Sequence, residues 1–334
     1  MTTPGALMAA EIAEQPEALG RVLRDGRVDA ARARSAIEKY RPRFVLLAAR
    51  GTSDHAALYA KYLAEVELNL PAGLASASSF TVYGSRPDMT GVLFVAISQS
   101  GGSPDLVESM EVARGCGALT VAVTNNPASA LAAAAEHHVH VHAGPERAVA
   151  ATKTYTAELL ALYLLLVGGD AAGVPEAAAR TLAHGDAAVA AAGRFLLVDR
   201  LVTTARGFSY PTAREGALKL METSYLAAQA FSGADLLHGP LAMLGPEVPV
   251  IAVTTTGRGA AALTPVLDRL AAAQVDVLRV GPPDGLPVVL DGVHESLAPV
   301  LEILPLQQLA WRLALDRGGD PDRPRGLSKV TETW

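Results

Sequence analysis

Glu215, Lys219 and Glu222 stand four and three residues apart, so on a helix their side chains share one side. A carboxylate held beside an ammonium is equipment for taking a proton from carbon and steadying the negative charge left behind. The same spacing also builds a solvated ion-pair ladder, and spacing alone leaves both readings open. Leu218, Met221 and Tyr225 mark a second stripe that reads as core-facing. Downstream, the segment GADLLHGPLAML sets His238 among apolar residues at a Gly-Pro turn. An imidazole there titrates near neutrality and suits proton transfer, with simple packing as the plainer alternative.

A second group of residues suits an anion. Ser98-Gln99-Ser100-Gly101-Gly102-Ser103-Pro104 places three hydroxyls and two glycines before a helix that opens on proline. Gly51, Thr52 and Ser53 begin another helix and are placed to approach the same anion. Ordinary helix capping would select the same residue types. There is no P-loop signature and no complete Gly-x-Gly-x-x-Gly fingerprint, which disfavours nucleotides and points to a small phosphate monoester. His138, His140 and His142 alternate along one strand face beside His137. No carboxylate or cysteine completes a metal set there, so no metal and no cofactor is expected.

These residues need a scaffold that brings loop ends together. Short β-branched runs such as RFVLLAA, GVLFVAIS and ALTVAVT alternate with helical stretches, the pattern of a parallel sheet with helices on its faces. The pattern occurs twice. ARGTS at Ala49 and ARGFS at Ala205 lie 156 positions apart, as do SQSG at Ser98 and TTTG at Thr254, and LTVAV at Leu119 and VDVLR at Val275. The fold class is therefore α/β, with two duplicated, doubly wound parallel-sheet lobes. An N-terminal helical segment over 1–40 is expected, then a first lobe over 41–175, a second over 185–317 and a tail over 318–334. The Gly/Pro-bearing stretch VGGDAAGVPEA separates the lobes.

With 334 residues, half of them hydrophobic, the chain has material for two cores. A net charge of -6 argues against nucleic acid as a partner. The run ELLALYLLLVGG is shorter than a bilayer span and reads as a buried helix, so no membrane partner is expected. The lone Cys116 excludes an internal disulfide and fits a cytoplasmic protein.

The motifs ARGTSDHAALYAKYLAE, ISQSGGSPDLVES, AGPERAVAATKTYTAELL, EGALKLMETSYLAAQAF, LLHGPLAML and DRPRGLSKVTETW together resemble the sugar isomerase (SIS) family, over about residues 40 to 334. The likeness is to the isomerase half of glucosamine-6-phosphate synthase and its stand-alone deaminase-like relatives. It implies flavodoxin-like lobes and an amino-sugar 6-phosphate substrate, with the phosphate held by Thr52, Ser98, Gln99, Ser100 and Ser103. By the same resemblance Glu222 is the base that moves a proton between sugar carbons 1 and 2, with Lys219 one turn before it. His238 corresponds to a ring-opening histidine donated by a neighbouring subunit, which implies a homodimer. Lys329 corresponds to a tail lysine that meets the open-chain sugar, and Val149 and Ser328 line the pocket. The synthase's glutaminase domain and its cysteine nucleophile have no counterpart here, so glutamine independence is expected. Arg50 replaces the synthase's cysteine before Gly51, as in deaminase-like relatives. The expected reaction converts glucosamine 6-phosphate to fructose 6-phosphate and ammonia. Dehydration of N-acetylglucosamine 6-phosphate and non-catalytic sensing of a sugar phosphate are the alternatives.

Overall fold

The computed structural model describes residues 3–281 and 284–329. The last five residues of the expected tail, 330–334, lie outside the described residues.

Five strands form the first sheet: β1 (Phe44–Ala48), β2 (Ala72–Leu74), β3 (Val92–Ser98), β4 (Leu119–Thr124) and β5 (His137–His140). All neighbours are parallel, in the order β2-β1-β3-β4-β5. β3 and β4 are apolar almost without a break because both faces of a central parallel strand are covered. The Thr52–Val66 helix packs on β1, β2 and β3. Against it lies the Lys153–Leu166 helix, buried at every position, which is why ELLALYLLL carries no polar stripe.

The second sheet has β6 (Arg200–Ala205), β7 (Ala227–Ser232), β8 (Val250–Val253) and β9 (Val277–Val280), parallel in the order β7-β6-β8-β9. Apart from the fifth strand this repeats the first order, and the strand positions keep the 156-residue register. The Tyr210–Ser224 helix lies on β6, β7 and β8 and packs against the Ala298–Asp316 helix. The turns repeat as well. Gly51 and Gly207 have φ of 56° and 65°, and Gly101 and Gly257 have 63° and 79°. In both sheets the chain reverses direction at the junction of the first and third strands, where the carboxyl ends of a doubly wound sheet open a crevice.

The chain separates into two compact units that are not contiguous in sequence. The five-stranded unit takes 17–146 and 153–172, and the four-stranded unit takes the chain up to Pro16, 147–152 and 173–329. Polar groups explain the exchange of segments. Buried Glu11 accepts the backbone N–H of Arg147 and, at 3.2 Å, that of Ala148. Gln307 donates to the Thr152 carbonyl at 3.3 Å, and Val149 N–H donates to the Asp322 carbonyl at 3.2 Å. The Asp322 carboxylate accepts Leu7 and Met8 N–H at 3.0 and 2.8 Å, satisfying the start of the Ala6–Ala13 helix.

Candidate active site

In the five-stranded unit β3 runs into the turn Ser98–Ser103. Gly101 N–H donates to Ser98 Oγ at 3.1 Å, and Gly102 N–H donates to Ser100 Oγ at 3.3 Å. A side chain at Gly101 would meet Ser129 Oγ at 2.3 Å, so packing and positive φ both require glycine there. Ser103 precedes the Pro104–Gly115 helix and makes no side-chain cap hydrogen bond. The first amides of that helix provide a partial positive charge at the mouth of the turn. Gln99 Nε2 donates to Glu146 at 3.3 Å, and Glu146 in turn accepts Thr154 N–H at 3.2 Å. Arg50 forms a 2.7 Å ion pair with buried Asp105 in the first turn of the helix, so a guanidinium is fixed beside the same helix start.

Gly51 lies before Thr52 with open space where a Cβ would stand. Ser53 is directed elsewhere. Its hydroxyl donates to Glu158 at 2.9 Å in the interior. The second lobe repeats this contact, with Ser209, 156 positions on, donating to buried Glu302 at 2.7 Å. Thr212 (3.0 Å) and Thr255 also donate to Glu302, while burial pushes its carboxyl above the ordinary value against those three hydroxyls. At the TTTG turn Gly259 N–H donates to Glu295 at 3.2 Å, and a Cβ on Gly257 would fall within 2.0 Å of the Glu295 carboxylate. The second turn thus already holds an anion from its own chain.

The Tyr210–Ser224 helix of the four-stranded unit presents its charged side inward. Glu215 and Lys219 have fully buried side chains, and that of Glu222 is 20% exposed. Lys219 Nζ is 3.3 Å from Glu215 Oε1 and 2.5 Å from Glu222 Oε2. The solvated-ladder reading is excluded by this burial. Burial pulls the Lys219 ammonium toward lower values, but the two carboxylates more than reverse that, and the net shift is upward. Of the stripe expected in the core, Met221 and Tyr225 face out, 40% and 39% exposed, and Leu218 is half-buried. The reason is that the helix spends its inner face on the triad and on small residues such as Ala213, Gly216 and Ala217.

His238 ends the short Gly233–Leu237 helix and is exposed, so it does not pack in the core. Lys329 Nζ donates to the Ala148 carbonyl at 2.6 Å, which brings the tail to the segment carrying Val149; Ser328 is exposed next to it. The structure therefore gathers the expected residues into groups: Ser98, Gln99, Ser100 and Ser103; Lys219 and Glu222; Val149, Ser328 and Lys329. Glu146, which holds Gln99, has no local sequence signal, whereas Glu215 stands in the helical spacing that marks Lys219 and Glu222.

His138, His140 and His142 line up along β5 and past its end, with adjacent ring centroids 6.3 and 3.9 Å apart. Thr124 Oγ1 lies 2.8 Å from His138 Nε2. Burial, reinforced by neighbouring histidine charge, holds His138 and His140 below the usual imidazole value. Among the described residues no group of three or more His, Cys, Asp or Glu is arranged for a metal ion. No helix among them is long and apolar enough to cross a membrane.

A sequence profile of the SIS domain matches residues 40–168 and 197–278. The glutamine–fructose-6-phosphate aminotransferase (isomerizing) of Pyrococcus horikoshii is 34% identical over 342 residues, covering 96% of this chain and 57% of that enzyme. The chain thus spans little more than half the length of that relative. A candidate phosphosugar isomerase from Silicibacter pomeroyi DSS-3 superposes with a TM-score of 0.85 at 35% identity, over 94% of this chain and 99% of that one. The C-terminal domain of glucosamine-fructose-6-phosphate aminotransferase from Francisella tularensis gives 0.80 at 29% identity, over 95% and 98%. With both lobes matched by the profile and near full coverage by relatives, the chain belongs to the SIS domain family.

Proposed function

We propose that this SIS protein is a glutamine-independent amino-sugar 6-phosphate isomerase and deaminase, converting glucosamine 6-phosphate and water to fructose 6-phosphate and ammonia. The observation that carries the reading is the buried Lys219 ammonium bonded to the partly open Glu222 carboxylate, a base and a counter-charge fixed on one helix. In this reading Thr52, Ser98, Gln99, Ser100 and Ser103 hold the phosphate, with Gly51 allowing close approach. Ser53 supports them from the interior through Glu158. Exposed His238 acts on the sugar ring in a second copy of the chain, so that the working form is a homodimer. Lys329, Val149 and Ser328 meet the opened sugar.

In the open-chain aldehyde Glu222 removes the proton on carbon 2, and the electron pair delocalises onto the carbon 1 oxygen as an enediolate-like anion. Lys219 lowers the energy of that anion. Glu222 returns the proton to carbon 1 while a proton passes from the nitrogen to the carbon 1 oxygen, leaving a hydroxymethyl group and an imine at carbon 2. Water adds to the imine and ammonia leaves, giving the ketose. The reading also supports a place in the cytoplasm, where sugar phosphates reside.

The test is to incubate the protein separately with glucosamine 6-phosphate and N-acetylglucosamine 6-phosphate, following ammonia, fructose 6-phosphate and ultraviolet absorbance. Equal amounts of ammonia and fructose 6-phosphate from the free amine are expected. A new absorbing product from the acetylated sugar without ammonia would assign elimination instead, and no change in any channel would overturn the enzyme reading.

A further inference from the structure

We propose that Glu215 is a positioning residue that keeps Lys219 a permanent ammonium, so that Lys219 acts as a fixed counter-charge and never as a base. The inference rests on the reading of Glu222 as the proton-transfer group. A lysine with a fully buried side chain would ordinarily shed its proton, because the interior solvates charge poorly. Here it is flanked one turn before by the Glu215 carboxylate, itself fully buried, and one turn after by Glu222.

The need for two carboxylates follows from the reaction. When Glu222 takes a proton from carbon, its own charge disappears at the moment the substrate becomes an anion. With Glu222 as the sole partner, Lys219 would then be a buried cation drawn to release its proton. Glu215 takes no part in that transfer, stays 3.3 Å from Nζ and holds the proton there, leaving a cation beside the new anion when it is needed. Glu215 thus touches no substrate and works through Lys219.

The described elements packed on this helix carry few other charges. The Ala298–Asp316 helix brings Glu302, which is bonded to Ser209, Thr212 and Thr255, and an Arg312–Asp316 pair bonded to each other. β6 brings Arg200 at its exposed start, and β7, β8 and the Gly207–Ser209 turn contain no charged residue. On the helix itself Arg214 is the remaining charge, and the groups that act on Lys219 are Glu215 and Glu222.

The experiment is the pH dependence of kcat and KM for glucosamine 6-phosphate in the wild type, Glu215→Gln, Glu215→Asp and Glu222→Gln. Glu215→Gln is expected to lower kcat about tenfold or more with KM changed by less than about twofold, and to bring the alkaline loss of activity at least about one pH unit lower. Glu215→Asp, which keeps the charge at a greater distance, is expected to shift the same limb less. A folded Glu215→Gln enzyme whose alkaline limb stays in place overturns the proposal. Should that variant fail to fold, the aspartate variant decides: a smaller shift in the same direction supports the proposal, and an unmoved limb overturns it. Wild-type turnover in Glu222→Gln would instead remove the base reading, an outcome distinct from an unmoved alkaline limb.

Discussion

At the scale of single residues, the structure places charge where it is costly and matches it within one helix. A buried ammonium between two carboxylates is a poor source of stability compared with apolar packing, so its retention points to chemistry. On the proposed reading Glu222→Gln removes the proton acceptor but keeps the shape and a hydrogen-bond acceptor for Lys219. Turnover of glucosamine 6-phosphate should fall by about 10²–10⁴-fold with little change in KM, measured by ammonia release. The spacing of Glu215, Lys219 and Glu222 was legible in the sequence, and so was their shared side. Their burial was not legible, because a four-and-three spacing looks identical on a wet face and a dry one. Only the packing of Ala213, Gly216 and Ala217 alongside the triad decides between them. Met221 and Tyr225 misled for the same reason: a large apolar residue suggests a core, yet on this helix the inner face was already taken.

At the scale of elements, function depends on how strands end. The Ser98–Ser103 turn is stabilised by its own serines and by a glycine that has no room for a side chain. Gly101→Ala should cost about 2 kcal/mol or more through the left-handed backbone and the contact with Ser129, read as a lower midpoint in denaturant. It should also weaken binding of a phosphate monoester, since the turn would open to relieve the clash. The β5 histidines predict a different response. Because the folded state favours neutral His138 and His140, stability is full above about pH 6.5 and is lost as acidification passes through their depressed folded values. Thermal midpoints should therefore fall as the pH drops below about 6.5, and His140→Asn should flatten that fall. Strand positions and turn glycines were readable because β-branched runs and Gly-rich stretches report local backbone needs. Ser53 was less readable, since a serine at a helix start serves an anion outside or a carboxylate inside equally well, and here it serves Glu158.

At the scale of the whole molecule, the duplication visible at 156 residues persists in strand order, turn conformation and the serine–carboxylate contacts. Assignment of segments to units was less legible, because the contacts of Glu11, Gln307 and Asp322 join residues far apart in sequence and no local pattern announces such pairings. The two halves have also parted in what they offer a ligand. Isothermal titration with a phosphate monoester should saturate at one equivalent per chain, and Glu295→Gln should leave both turnover and phosphate binding at the first turn intact. The Glu295 carboxylate at the second turn makes this more than a loss of affinity. An anion carried on the same backbone never diffuses away, so a free phosphate at this turn would first have to displace it. The second turn is therefore a seat whose occupant is encoded in its own sequence.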